Sequence, residues 1–400
     1  MSTLMSRALL VALSVVSASF SIGHALAQQP PEHVLFQRIT PLPAEADAGP
    51  PEFEPLDNWF GADVAIRNAF AFAGMPKTNG TGQVAVFTQQ GTSGHWTRTA
   101  TIVASDRTEG DEFGRAVSYR DGLLIVGSNR AAYVYKRVSG AWREQQKVRL
   151  GTEDGVVDLT HEAGVLAIGA RSETATSLYI FERNAAGTFV RRARIAGPAG
   201  ERFGAIAMTR REIVVGSTNC AYIFGRNSSG NWVQRQRLLP ANPEAADFGA
   251  AVAIDQGMIL VGAPRTFFPP DELSLGSVHG FVAGTSQYVE TFELSSQGTG
   301  LRFFGSSIAM FDDRFAVSAE EWFFADPEVQ AAPAQILTFS RNGSSVQPLG
   351  ATGTDHGTFG ASVAIANNVL LVGSPHDRNC RFVGCRVGEA NFFDLNRFEQ

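Results

Sequence analysis

The chain predicts an all-β fold, a seven-bladed β-propeller of four-stranded antiparallel blades, on three observations. An apolar run ending in a glycine-plus-small-residue step recurs seven times. A Phe-Gly pair precedes six of the copies. The two ends of the chain each carry part of one repeat.

The recurring runs are AFAGMP (71–76), LIVGSN (124–129), LAIGAR (166–171), IVVGST (213–218), ILVGAP (259–264), FAVSAE (315–320) and LLVGSP (370–375). Their starts lie about 40 to 56 residues apart, a period that suits propeller blades. Upstream stand Phe60-Gly61, Phe113-Gly114, Phe203-Gly204, Phe248-Gly249, Phe304-Gly305 and Phe359-Gly360, with Val157-Asp158 expected as the degenerate pair of the third copy. An alternating run follows each pair and reads as a half-buried first strand, as in AAVAI (250–254). Polar turns such as Asp121-Gly122 and Asn367-Asn368 then mark a hairpin. The second strand is apolar on both faces, as a strand covered on both sides must be. A third strand ends in an aromatic, as in SLYIF (177–181), and a fourth alternates with polar residues, as in WREQQKVRL (142–150). A mid-strand glycine costs roughly 0.5–1 kcal/mol relative to alanine. Its recurrence therefore predicts close backbone approach between blades.

The last repeat reaches a third strand at NFFDL (391–395) and stops soon after, while VLFQRITP (34–41) near the start has the pattern of VQRQRLLP (233–240). The N-terminal strand is expected to complete the last blade and close the ring, which removes exposed sheet edges. The expected layout is a signal peptide (1–27), a short tail (28–33) and one propeller domain (34–400). Within the propeller, 34–41 is the closing strand, 42–56 a crossing segment, and blades begin near 60, 113, 157, 203, 248, 304 and 359.

A chain of 400 residues exceeds what one compact core supports, and a propeller distributes its core between sheets. The net charge of −6 and the lack of any dense Lys/Arg cluster argue against nucleic acid or an anionic membrane surface. Arg7, the apolar stretch 8–22 and Ala25-Leu26-Ala27 read as a cleavable export signal. The stretch is too short and Ser-rich for a retained span, so the mature chain is expected to be exported, soluble, without a membrane span, and monomeric. Cys380 and Cys385 bracket a short loop and suit a local disulfide; a metal pair is the alternative, but His376 and Asp377 complete no ligand spacing. Cys220 reads as a buried free thiol.

With the Phe-Gly and Val-Gly-Ala-Pro steps placed, the chain resembles the FG-GAP repeat family, the propeller repeats of integrin α headpieces. Residues 248–264 and 359–375 are the best copies. Calcium-binding members place an Asp-rich loop between the first two strands of a blade. Here the corresponding turns, such as Arg120-Asp121-Gly122, Asp255-Gln256-Gly257 and Asp312-Asp313-Arg314, offer no three spaced oxygen donors, so no calcium, other metal or cofactor is expected.

No His-Glu-x-x-His, Gly-x-Ser-x-Gly or phosphate-cradling loop is present, so no catalytic residue is assigned. What varies is the loop after the second strand. It lengthens to RTFFPPDELSLG (265–276), EEWFFADPEVQAAP (320–333) and HDRNCRFVGCRVG (376–388), with PKTNGTG (76–82) intermediate. These belong to neighbouring blades and form a wall on one face. The candidate contacts are Phe267, Phe268, Asp271, Glu272, Glu321, Trp322, Phe323, Asp326, His376 and Arg378. Aromatics ringed by charge suit a protein or glycan partner. The same aromatics also suit mutual packing that holds the loops. The expected function is a non-enzymatic, adhesion-type binding propeller. A carbohydrate hydrolase or lyase using carboxylates such as Asp271 and Glu321, or a purely structural module, are the alternatives.

Overall fold

The computed structural model describes residues 18–21, 31–40, 59–91, 94–151, 155–266, 275–296, 301–319, 334–342, 345–354, 358–376 and 387–398. Blade 1 runs Val64–Arg67, Phe70–Met75, Gln83–Gln89 and Trp96–Ile102, inner to outer. Blade 2 is Ala116–Arg120, Leu123–Gly127, Ala131–Val138 and Ala141–Arg149. Blade 3 is Gly155–Glu162, Val165–Arg171, Thr176–Arg183 and Phe189–Ala196. Blade 4 is Ile206–Met208, Glu212–Ser217, Cys220–Arg226 and Trp232–Leu238. Blade 5 is Ala251–Asp255, Met258–Ala263, Ser277–Ala283 and Tyr288–Ser295, and blade 6 is Ile308–Phe311, Arg314–Ala319, Ala334–Asn342 and Ser345–Thr354. Blade 7 takes Ser362–Ala366, Val369–His376 and Val387–Phe398 from the C-terminal end and His33–Ile39 from the N-terminal end. The ring is closed by the N-terminal strand, as the sequence predicts. In the closing pair Leu35 faces Phe393 and Gln37 faces Phe392, in antiparallel register. Ala18–Ser21, within the expected leader, lies parallel to Phe292–Ser295 at the outer edge of blade 5.

Among the described residues the apolar core is split into seven clusters, each shared mainly by two adjacent blades. One of these spans the closing joint and joins Phe60, Ala73 and Phe87 of blade 1 to Leu371, Ala390 and Phe392 of blade 7. The Phe of every Phe-Gly pair is at most 3% exposed. Each stands edge-on to the third-strand aromatic of its own blade (Phe87, Tyr135, Phe224, Phe281, Phe339 or Phe393). Centroids are 6.0–6.4 Å apart and planes cross at 69–80°.

Second-strand glycines carry the blade contacts. A Cβ on Gly74, Gly216, Gly262 or Gly373 would lie 1.9–2.1 Å from the carbonyl oxygen of the Phe-Gly glycine in the next blade (Gly114, Gly249, Gly305 or Gly61). No side chain fits there. In the sixth copy Ser318 takes the place of the glycine, and a Cβ on its neighbour Gly360 would meet Ser318 Cβ at 2.9 Å. The third copy differs from the sequence reading. Asp158 pairs with Gly169, the place Asp63 holds opposite Gly74, so Val157-Asp158 does not stand in for Phe-Gly. Lacking that pair, blade 3 offers Val156 to Gly127 instead of a backbone oxygen.

A glutamine clamp between outer strands also repeats. Gln37 Nε2 donates to Trp96 O and its Oε1 accepts from Trp96 N, both at 2.6 Å. Gln146 brackets Phe189 in the same way, and Gln236 brackets Tyr288, all at 2.8 Å. Each glutamine reaches from the outer strand of one blade to that of the next. Gln37 does so across the closing joint.

Candidate functional site

The three long loops all connect a second strand to a third. The strands that bound them end and begin at Ala263 and Ser277, Ala319 and Ala334, and His376 and Val387. Because strand direction alternates, these ends share one edge of blades 5, 6 and 7. The corresponding links in blades 2, 3 and 4 are tight, running from Gly127 to Ala131, Arg171 to Thr176 and Ser217 to Cys220. Phe267, Phe268, Asp271, Glu272, Glu321, Trp322, Phe323, Asp326 and Arg378 lie outside the described residues, as do Cys380 and Cys385. His376 ends its strand, paired with Val387, and its side chain also lies outside the described residues.

Beneath the blade 5 loop runs a buried polar chain that the sequence reading missed. Thr266 Oγ1 donates to Ala263 O at 2.7 Å and lies 2.7 Å from Ser277 Oγ. Ser277 Oγ is 2.9 Å from His279 Nε2, and His279 Nδ1 is 2.7 Å from Glu290 Oε1. These are the spacings of a Ser-His-acid relay. Ser277 and His279 are fully buried, however, and the hydroxyl is engaged from both sides. The chain ties the loop base to the outer strand and presents no accessible nucleophile. Next door, Glu201 accepts from Ser217 Oγ, Cys220 Sγ and Tyr222 OH at 2.8–3.1 Å and pairs with Arg237 at 3.1 Å. Cys220 is a buried free thiol, and burial together with Glu201 raises its pKa.

Two carboxylates mark the axis. Asp63, Ala116, Asp158, Ala205, Ala251, Ser307 and Ser362 stand opposite the second-strand Gly or Ser of their blades and form a collar of small residues with two acids. Asp63 Oδ2 accepts from Val117 N of blade 2 at 2.6 Å, and its Oδ1 accepts from Ser362 Oγ of blade 7 at 3.0 Å. Asp158 Oδ2 accepts from Ile206 N of blade 4 at 2.6 Å. Each acid therefore stitches its blade to the next. Burial pushes the Asp63 carboxyl up to about 6. Burial, then repulsion from Asp63, pushes Asp158 up to about 7. Asp63 and Asp158 are each only partly buried as whole residues, so their desolvation is incomplete.

The first-to-second-strand turns form the opposite mouth of the channel. Their acids are engaged between blades: Asp121 Oδ2 accepts from Ala163 N at 2.7 Å, and Asp255 Oδ2 from Asp312 N at 2.9 Å. Carboxylates used singly on neighbouring amides do not make the convergent oxygen cage that calcium requires. The residues present therefore do not fit the ion that the resemblance implies.

Residues 96–141, from the outer strand of blade 1 into that of blade 2, match the FG-GAP repeat family. The matched segment includes Phe113-Gly114, a less regular copy than those at 248–264 and 359–375. No curated protein matches the chain. Among solved structures, a chain of the crystal structure of a mitotic checkpoint complex is similar, with a TM-score of 0.58 at 14% identity, covering 91% of this chain and 96% of that one. At that identity the likeness shows the fold alone. No helix among the described residues is long and apolar enough to cross a membrane. The sheet order shows a seven-bladed β-propeller, and residues 96–141 of it match the FG-GAP repeat.

Proposed function

We propose that the protein is an exported, non-enzymatic binding module that presents the 265–276, 320–333 and 376–388 loops to a protein or glycan partner. One observation carries this reading: the long connections arise from the same edge of three successive blades, while the equivalent links of blades 2 to 4 are tight. A rigid ring is a suitable platform, since it fixes the loop bases while leaving their sequence free to vary. The FG-GAP match supports an extracellular setting. Glycan-array and protein-surface binding by the whole chain, beside a variant with 320–333 shortened to a two-residue turn, tests the proposal. Capture by the parent and its loss in the variant is the expected result. Equal capture by both removes this wall from the account.

A further inference from the structure

The mouth opposite the long loops has the features of a second, separate site. A bowl of about 510 Å³ opens there over the channel. Its floor is apolar, made by Met208, Ile254, Met310 and Phe311, and its rim carries Arg67, Arg120, Arg210 and Arg211. Beside it lies a groove of about 590 Å³ between blades 4 and 5, and the two share a wall of Arg210, Arg211, Glu212 and Tyr288.

The four arginines share this mouth with four carboxylates, Glu162, Glu212, Asp255 and Asp312, so the formal charges balance, but the partners are unevenly assigned. Glu162 is held by Arg120 at 2.8 Å, and Glu212 accepts the Tyr288 hydroxyl at 2.7 Å. Asp255 and Asp312 are occupied by the Asp312 amide and by Gln256 Nε2, at 2.9 and 3.1 Å. Arg67 lies over the Phe311 ring at 5.7 Å. Among the described residues, no carboxylate pairs with Arg67, Arg210 or Arg211. Guanidinium forks without a carboxylate partner thus border a concavity that also exposes apolar side chains. A planar fork matches a carboxylate in bidentate fashion, and the floor gives an attached hydrocarbon or ring somewhere to leave water. The clamp from Gln236 holds the Tyr288 backbone, so the shared wall is fixed in advance.

We infer that this bowl binds a small organic carboxylate with an apolar body, its charge at Arg210 and Arg211 and its body on Met310 and Phe311. The site is independent of the long loops.

Calorimetric titration of the full chain with 4-phenylbutyrate tests this, with 4-phenylbutyramide and inorganic sulfate as controls. The expected result is saturable binding of the carboxylate, weakened at least 10-fold by Arg210→Gln with Arg211→Gln and in the amide control, and unchanged when 320–333 is shortened. These arginines are exposed turn residues, and Arg67→Gln supplies a second variant expected to weaken binding. The inference is overturned if the parent shows no saturable binding, or if the paired variant binds equally well. Sulfate binding as tightly as the carboxylate would also overturn it, because the floor would then contribute nothing.

Discussion

A single missing Cβ decides how blades meet. A Cβ on Gly262 would stand 2.0 Å from Gly305 O, whereas one on Gly169 would meet the end of Ile206, Cδ1, first, at 3.0 Å, with Gly204 O at an ordinary 3.4 Å. The first neighbour is backbone of the next blade and cannot swing away; the second is a flexible side chain. Gly262→Ala is therefore expected to cost about 3 kcal/mol or more, by forcing two sheets apart. Gly169→Ala is expected to stay within about 1 kcal/mol of the parent, since alanine also restrains the unfolded chain. Urea unfolding of both variants checks this, and equal losses would show that close backbone approach does not explain the glycine repeat. The opposing glycines add a second demand: Gly249, at φ +104°, sits 2.3 Å from Cys220 O by the same measure. The recurrence of these glycines was legible in sequence because each breaks an apolar run at one register.

At the scale of the strand, legibility was uneven. Closing strand His33–Ile39 could be read from its pattern, because an outer strand alternates and VLFQRITP repeats the alternation of blade 4. The clamp was there too, as Gln37-Arg38-Ile39, Gln146-Lys147-Val148 and Gln236-Arg237-Leu238, but its meaning needed the neighbouring blade. Blade 3 was misaligned because a lone Asp in an apolar run has no period to fix it. Its role emerges only when Ile206, from another blade, donates to it. The relay through Ser277, His279 and Glu290 and the arginine bowl were hidden for the same reason, since their members come together only across strands or blades. Asp158 permits a pH test. Its carboxyl is raised above the unfolded value, so the native state holds the proton longer; the stability this contributes is complete below about pH 4 and is lost as pH rises to about 7. His161 works in the opposite sense: burial lowers it to about 4, and stability present above its unfolded value is lost as pH falls toward 4. Asp158→Ala removes only the first effect and installs the residue that Ala116 and Ala251 supply in other blades. Relative to the parent, the variant is expected to gain stability between pH 4 and pH 8. The gain is at most about 4 kcal/mol, and less in so far as channel solvent reaches the carboxyl. A difference that stays flat across that range would show that Asp158 titrates normally.

For the molecule as a whole, the arrangement separates a repeated supporting ring from two ends that differ. Seven shared cores and a collar that includes two carboxylates fix a ring, and the ring then offers two unlike ends: a lengthened loop edge over blades 5 to 7 and an arginine-rimmed bowl over the channel. Both depend on closure. Phe60 and Phe392 share the joint between blades 7 and 1, where Asp63 reaches Ser362. An open array would leave blade 7 without its outer strand and both mouths without a fixed shape. Hydrogen exchange of the backbone amides in His33–Ile39, read by mass spectrometry on the intact chain, tests closure most directly. Protection equal to that of Trp232–Leu238, the matching outer strand of blade 4, is the predicted result; exchange within seconds, as in a free tail, would contradict the closed ring.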